Sequence, residues 1–331
     1  MLPVNDMKKI IMVILIILLV LINLGGCIFD NWDEITTSII VEKDGSGDYN
    51  SIQEAINNAN INDTIYVGKG IYVEHVFINK TVHLISDTPT ETIIDGNHTN
   101  SVVFVNADNV TIRGFTMRNS GTHHTYYEMD AGININANNT IVSHCFCDNN
   151  TVGLQVKHKA SNMMKHNMLT NNSYGLFLYY ASSNTLSNNT IMHNTDYGCY
   201  LYTGSNGNVL RNNSFLKNRF SLRIKSEGNT VFRNLFKDNE KGIYFCCGST
   251  KNSIYHNTVI NNIEYNGKGN FLGNTWYNES IGGNYWDDYE GVDADGDGFG
   301  DTPYIIDRRN SNNIEQVIED KYPLMQPMIQ P

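Results

Sequence analysis

A short acidic segment near the C-terminus has the residue types and the spacing of a calcium-binding loop. Its candidate oxygen donors are Asp293, Asp295, Asp297, Phe299 (through its carbonyl group) and Asp301. Alternate carboxylates converge on a hard cation, and Gly298 at the sixth place permits a sharp turn. The twelfth place holds Tyr304 instead of the usual bidentate glutamate. The pattern therefore predicts Ca²⁺ binding of modest affinity, and the alternative is a solvated acidic loop.

A second group of reactive side chains lies in the segment Ser120–Asp130. Its members are His123, His124, Glu128 and Asp130. Imidazole and carboxylate groups can transfer protons or bind metals, so these residues are weak candidates for catalysis. Their spacing matches no standard motif, and a solvated loop is the competing interpretation.

Aromatic side chains and one arginine recur at the spacing of the repeat described below. The set is Phe177, Tyr179, Tyr200, Tyr202, Arg223 and Tyr244. On neighbouring strands these side chains would form outward columns about 4.8 Å apart, beginning at Asn134 and Gln155. Sugar rings stack on exposed aromatic faces, so we expect a flat ledge that binds polysaccharide. The alternative is that tyrosine and phenylalanine occur there because they favour strands.

A regular repeat would position these residues. Asparagine recurs every 21 to 24 residues at Asn139, Asn162, Asn184, Asn208, Asn229 and Asn252. Asparagine or histidine follows five residues after each anchor, and asparagine ten residues after. Apolar residues alternate between them, beginning with Ile141 and Phe146, which predicts three short strands per coil. A leucine-rich repeat would need more leucine, and disorder would not keep such regular apolar columns. We therefore predict an all-β fold, a right-handed parallel β-helix.

Four regions are predicted along the chain. Residues 1–27 resemble an export signal that ends in a lipobox, Leu24-Gly25-Gly26-Cys27, with Cys27 as the lipidated residue. An uncleaved membrane anchor is the alternative. Residues 28–40 are a linker, 41–280 the β-helix and 281–331 a cap rich in aromatic residues and aspartate. A short helix near Ser51 should cover the open end of the solenoid.

The overall charge restricts the possible partners. The formal net charge is −11 and the sequence contains no basic cluster, which argues against nucleic acid. The six cysteines follow no zinc spacing, and no disulfide framework can be read from them.

Two family resemblances follow from these motifs. The opening segments Asp44-Gly45-Ser46-Gly47-Asp48 and Gly70-Ile71-Tyr72-Val73-Glu74 resemble the start of pectin methylesterases, but the catalytic segments of those esterases have no counterpart. The asparagine-cornered repeats and the tail Asn284-Tyr285-Trp286-Asp287-Asp288-Tyr289 resemble the NosD-like β-helix proteins with the carbohydrate-binding and sugar-hydrolase repeat.

The NosD-like resemblance implies an archaeal cell-surface type of protein. Copper delivery, associated with that family, transfers poorly because no copper-type cluster of His, Met and Cys is present. We expect a lipid-anchored protein on the outer face of the membrane that binds cell-surface polysaccharide. The alternatives are a polysaccharide lyase or hydrolase, and a structural envelope protein or adhesin.

Overall fold

The computed structural model describes residues 38–125, 128–269, 273–311 and 314–328. These residues form a right-handed parallel β-helix, which confirms the predicted fold. The predicted export signal and Cys27 lie outside the described residues. Among the helices in the described part of the chain, none has the length and apolar content needed to cross a membrane.

Each complete coil contributes one strand to each of three parallel sheets, which we name sheets I, II and III. Sheet I contains β1 Ser38–Val41, β2 Thr64–Val67, β5 His83–Ile85, β8 Thr111–Arg113, β11 Ile141–Ser143, β14 Met163–Lys165, β17 Thr185–Ser187, β20 Val209–Arg211, β23 Thr230–Phe232 and β26 Ser253–Tyr255. Sheet II contains β4 Val76–Ile78, β7 Val103–Val105, β10 Ala131–Ile135, β13 Val152–Lys157, β16 Tyr174–Tyr179, β19 Tyr197–Leu201, β22 Phe220–Ile224, β25 Lys241–Phe245 and β28 Tyr265–Gly269. Sheet III contains β3 Gly70–Val73, β6 Thr92–Asp95, β9 Thr116–Arg118, β12 Phe146–Asp148, β15 Met168–Thr170, β18 Thr190–Met192, β21 Ser214–Leu216, β24 Leu235–Lys237, β27 Thr258–Ile260 and β29 Tyr285–Trp286.

The core runs along the axis of the solenoid. Alternate residues of each strand point inward, as in Leu176 and Leu178 of β16, and the sequence predicted these inward pairs correctly. Phe215 and Phe236 stack in the core with ring centroids 4.8 Å apart. The stacked coils bury this continuous apolar column together, because a single coil could not bury its own apolar side chains.

Buried asparagines form ladders between the coils. At Asn213, for example, the side-chain oxygen accepts from Asn189 N–H at 3.0 Å, and the amide nitrogen donates to the Asn234 oxygen at 3.0 Å. From Asn150 to Asn257, the residue just before each ladder asparagine has the left-handed conformation, as Asn212 does with φ 55°. We predicted that one asparagine would both adopt the left-handed conformation and form the ladder. In the structure the first of two adjacent residues is left-handed and the second forms the ladder.

The prediction was wrong by one residue in the first regular coil. Asn139, His144 and Asn149 have φ of 55° and occupy the left-handed positions, so the ladder positions are the residues that follow them. A shift of one residue reverses the face of every side chain. Val142 and Cys147 are consequently buried, whereas Ile141 and Phe146, predicted to point inward, are partly exposed.

A helix of seven residues, α1 (Ile52–Asn58), packs its buried face, Ile52, Ala55 and Ile56, on the N-terminal end of the core. Ser51 caps it by accepting from Glu54 N–H, as the sequence predicted. The Glu74 carboxylate accepts from the N–H groups of Ile52 and Gln53, both at 3.0 Å. Negative charge at this terminus is stabilising, so α1 is fixed to the next coil.

The solenoid extends past the predicted boundaries at both ends. The first strand, β1, begins at Ser38, inside the predicted linker 28–40, and β29 of sheet III lies inside the predicted cap. An antiparallel pair, β30 (Tyr304–Ser311) and β31 (Ile314–Asp320), follows the last coil. Trp276 and Trp286 are buried against this end of the core.

Candidate functional site

The outer face of sheet II carries the predicted columns in the predicted register. The first column runs through Phe77, Phe104, Asn134, Gln155, Phe177, Tyr200, Arg223, Tyr244 and Lys268. In the second column Lys157 pairs with Tyr179, the Tyr179 and Tyr202 rings are 5.6 Å apart, and the Lys225 ammonium lies 4.6 Å from the Tyr202 ring.

A third outward column was missed by the sequence analysis. It contains Val152, Tyr174, Tyr197, Phe220, Lys241 and Tyr265. Strict alternation along the strand would point Tyr174 inward. Tyr174 instead packs beside the outward Phe177, with ring centroids 5.8 Å apart. The alternation of faces therefore breaks at the glycine that follows each of the first members of this column. A Cβ atom on Gly175 would lie 2.6 Å from the Gly198 carbonyl oxygen. The recurring glycine was the signal for this break.

The rings are less exposed than we predicted. Phe177 is 1% exposed, Tyr200 3% and Tyr179 9%, and they form one apolar cluster with Met129 and Tyr174. The expectation of a flat, exposed ledge was therefore wrong for Phe177, Tyr179 and Tyr200. The third column is the physical reason, because its side chains cover the rings of the first column from one side.

Solvent still reaches part of this surface. Tyr202 and Tyr244 of the predicted set are partly exposed, and so are Tyr197 and Phe220 of the additional column. We use the name ring surface for Tyr174, Phe177, Tyr179, Tyr197, Tyr200, Tyr202, Phe220 and Tyr244. The ring surface thus has buried members that hold it together and partly exposed members that a ligand can reach.

Arg223 is fixed within the ring surface. Its Nη1 atom donates to the Tyr197 hydroxyl at 2.6 Å, and its guanidinium carbon lies 4.9 Å from the Tyr200 ring centroid and 5.7 Å from that of Tyr244. Its Nε atom also lies 3.3 Å from the Cys246 sulfur. These contacts are structural, and they place a positive charge at the partly exposed edge of the rings.

A cleft of about 840 Å³ adjoins the N-terminal end of the ring surface. It is lined by residues of four strands of sheet II, by the segment before β10 and by residues between the coils: His75, Val76, Phe77, Asn100, Ser101, Phe104, His123, Glu128, Met129, Asp130, Asn134, Asn136, Lys157 and His158. Four described residues of the segment Ser120–Asp130 line the cleft: His123, Glu128, Met129 and Asp130. The volume is within the usual range for ligand-binding sites.

The four predicted residues of this segment have different surroundings. His123 Nε2 lies 3.7 Å from a Glu128 oxygen, and the Asp130 carboxylate accepts from His123 N–H at 2.9 Å. His124 instead packs on Tyr174, with ring centroids 5.4 Å apart, and does not line the cleft. Burial lowers the pKa of Lys157 at the opposite wall, and the Glu128 charge opposes that shift. The cleft therefore joins carboxylate, imidazole and ammonium groups.

The structure brings three of the predicted calcium ligands together. Carboxylate oxygens of Asp293, Asp295 and Asp297 lie within 4.8 Å of one another. Asp301 accepts from Ala294 N–H at 2.8 Å and is not part of that group, and Phe299 donates its N–H to Asp297. No other group of three His, Cys, Asp or Glu ligand atoms is as close within the residues that the structure describes.

Comparison with known proteins gives a family match over most of the solenoid. The model of the family described as "Periplasmic copper-binding protein (NosD)" matches residues 55–224 and, overlapping them, 122–291. Curated relatives from Arabidopsis thaliana match over shorter stretches. "Probable pectinesterase/pectinesterase inhibitor 21" is 38% identical over 73 residues, 20% of this chain and 11% of that protein. "Pectinesterase/pectinesterase inhibitor 18" is 27% identical over 134 residues, 35% of this chain and 23% of that protein.

Solved structures share the fold at low identity. The A-module of the mannuronan C-5 epimerase AlgE6 from Azotobacter vinelandii has a TM-score of 0.50 and 15% identity, covering 66% of this chain and 73% of the module. The pectin methylesterase from carrot has a TM-score of 0.46 and 14% identity, covering 72% of this chain and 87% of the esterase.

Copper, which the family description names, does not fit the group of three clustered ligands found among the described residues. The three clustered aspartates offer hard oxygen ligands, whereas copper prefers imidazole and sulfur. Cys145 and Cys199 are fully buried in the core, and burial raises the pKa of the Cys145 thiol to about 11. The thiolate form that binds metals is therefore disfavoured at Cys145.

Proposed function

This chain belongs to the NosD family, and from that premise we propose that it is an exported β-helix protein that binds polysaccharide along the outer face of sheet II. The observation that carries the proposal is the continuity of the ring surface with the cleft. A long polymer can contact stacked rings and reach polar groups at one end in the same groove.

Three further facts support this proposal. The family is described as periplasmic, which fits an exported protein. The curated relatives are named pectinesterases, and pectin is a polysaccharide, although the shared segments are short. The partly exposed edge of the ring surface carries Arg223 and Lys225 in a chain whose formal net charge is −11. This local positive charge favours an acidic polysaccharide over a neutral one.

A polysaccharide lyase or hydrolase is the second candidate. The feature that favours it is the meeting of Glu128, Asp130 and His123 in the wall of the cleft, because acid–base catalysis requires such groups beside the scissile bond. His123 and Glu128 are exposed, so binding without catalysis remains our first proposal.

The expected attachment and the expected cation are part of the proposal. Cys27 would carry a lipid that anchors the protein to the outer face of the membrane; the Leu-Gly-Gly-Cys sequence supports this. Asp293, Asp295 and Asp297 would bind one Ca²⁺ at the C-terminal end; their spacing and their proximity support this.

Affinity electrophoresis of the protein from residue 38 onward tests the proposal. Gels would contain pectin, alginate or a soluble neutral glucan. We expect retarded migration in at least one acidic polysaccharide, without release of reducing ends or unsaturated products. Product release would favour the enzyme, and unretarded migration in all three gels would refute polysaccharide binding.

A further inference from the structure

Two amide side chains on sheet II are buried and carry polar atoms that have no hydrogen-bond partner within the described residues. Asn134 is 5% exposed and its Oδ1 atom has no partner, and Gln155 is 0% exposed with neither Oε1 nor Nε2 paired within the described residues. The two residues are register partners in β10 and β13. A buried amide without partners costs free energy of folding, so a pair of them on one face requires an explanation.

The pair lies where the cleft meets the ring surface. Asn134 lines the cleft, and Gln155 is the next residue of the same outward column, before Phe177. Gln155 is fully buried and does not line the cleft, so Asn134 is the member of the pair that a group in the cleft can contact.

An aromatic platform adjoins the amides on the other side. Phe104 precedes Asn134 in the column, and Phe77 precedes Phe104. The two phenyl rings stack with centroids 5.7 Å apart and an interplanar angle of 23°, and both line the cleft. Phe77 is 42% exposed, so one face of this platform is open to a ligand.

We propose that Asn134 is the hydrogen-bonding residue of a subsite for a single sugar ring, with Phe77 and Phe104 as its stacking platform. A sugar ring has an apolar face of C–H groups and a rim of hydroxyls, each of which donates and accepts. The Oδ1 atom of Asn134 accepts, so a ring hydroxyl can donate the hydrogen bond that this atom lacks. The inference rests on the proposed binding of polysaccharide and assigns a residue that recognises its hydroxyls.

A substitution in this subsite should weaken binding without lowering stability, which makes the proposal testable. Asn134→Leu keeps the approximate size of the side chain and removes the unpaired amide oxygen. We expect its melting temperature to equal or exceed that of the wild type, while its affinity for the retained polysaccharide falls at least tenfold in affinity electrophoresis. A residue that only fills space would show no such loss of affinity.

Thr140→Val is the matched control. Thr140 is also buried with an unpaired side-chain oxygen, but it lies at the corner before β11 of sheet I. We expect this variant to be as stable as the wild type or more so, and to bind with unchanged affinity. Phe77→Ala provides a second test that does not touch a buried group, and we expect at least a fivefold loss of affinity.

The outcomes distinguish the subsite from the general proposal. If the wild type is retained and both Asn134→Leu and Phe77→Ala bind equally well, the subsite is wrong and binding occurs elsewhere on sheet II. An ordered water on the Asn134 oxygen would give this same result for Asn134→Leu. If the wild type is retained by none of the three polysaccharides, the proposed function fails and the subsite fails with it.

Discussion

Asp320 accepts two hydrogen bonds from Asn284 on a single carboxylate oxygen, from the backbone N–H at 2.7 Å and from the side-chain amide at 3.2 Å. Trp286 Nε1 donates to the same oxygen at 3.0 Å. Asp320 thereby ends a ladder of buried amides that starts at the Cys145 N–H group. The members between them are Asn167, Asn189, Asn213, Asn234, Asn257 and Asn284.

This arrangement predicts a stability that rises on acidification. Burial raises the pKa of Asp320 from 3.8 to about 6, and the hydrogen bonds from Asn284 and Trp286 only partly oppose that shift. Because the folded pKa exceeds the unfolded one, the folded state gains protons first. The contribution is complete below pH 3.8 and is lost as the pH rises through 6, a difference of about 3 kcal/mol. The melting temperature of the wild type should therefore increase from pH 7 to pH 5.

Asp320→Asn isolates this contribution from the titration of the histidines. The variant cannot change its charge, so the difference in melting temperature between it and the wild type should vary with pH over the same interval. A constant difference from pH 7 to pH 4 would show that Asp320 does not titrate in the folded state as proposed.

The ladders should contribute strongly to stability. Asn213→Leu preserves the approximate volume but leaves buried groups of Asn189, Asn234 and Leu186 without their partner. Each such group costs about 1–3 kcal/mol, so we expect a loss of at least about 3 kcal/mol in denaturant unfolding. The adjacent Asn212→Gly is the control, because φ of 55° suits glycine and its stability should hardly change. Equal effects of the two substitutions would contradict the structural role of the ladder.

Calcium should stabilise the C-terminal end. At a few times its dissociation constant, a bound ion adds about 1 kcal/mol, which raises the melting temperature by roughly 2–4 °C. Chelator should reverse the increase, and Asp295→Asn should abolish it. Asp87→Asn, an exposed residue outside the acidic loop, should respond like the wild type. Calorimetry without heat in millimolar Ca²⁺ would reject the site.

The anchor can be tested independently of the fold. In cells that make the full chain, Cys27→Ser should lose incorporation of labelled lipid and appear in the soluble extracytoplasmic fraction. Membrane retention of this variant with an intact N-terminus would instead support an uncleaved anchor.

The sequence predicted the fold because the β-helix repeats one local pattern many times. Inward residues such as Leu176 and Leu178 alternate in every coil, so errors at single positions do not change the architecture. The one-residue error at Asn139 arose because asparagine suits both the left-handed corner and the ladder. Only the three-dimensional contacts show that Thr140 occupies the ladder position.

The sequence predicted which residues of the site pair between strands, but it did not predict how deeply their side chains are buried. The column from Phe177 to Tyr244 follows from the repeat, whereas the covering of Phe177 by Tyr174 depends on a local break of the strand at Gly175. The unpaired state of Gln155 could not be predicted either, because it depends on which groups surround the side chain in space.

The exposure of each residue in the ring surface predicts which substitutions affect binding without affecting stability. Tyr200 is almost fully buried, so its removal should lower stability as well as binding. Tyr202 is partly exposed and is the better probe. Tyr255, partly exposed on sheet I and stacked on Phe232 at 5.5 Å, is a matched control on another face.

Affinity electrophoresis of Tyr202→Ala and Tyr255→Ala on the polysaccharide that retains the wild type tests the central proposal most directly. We expect Tyr202→Ala to lose most of its retention, at least tenfold in apparent affinity, while Tyr255→Ala migrates like the wild type. The melting temperatures of the two variants should be similar. Equal retention of the two variants, or loss of retention only in Tyr255→Ala, would contradict polysaccharide binding on the outer face of sheet II.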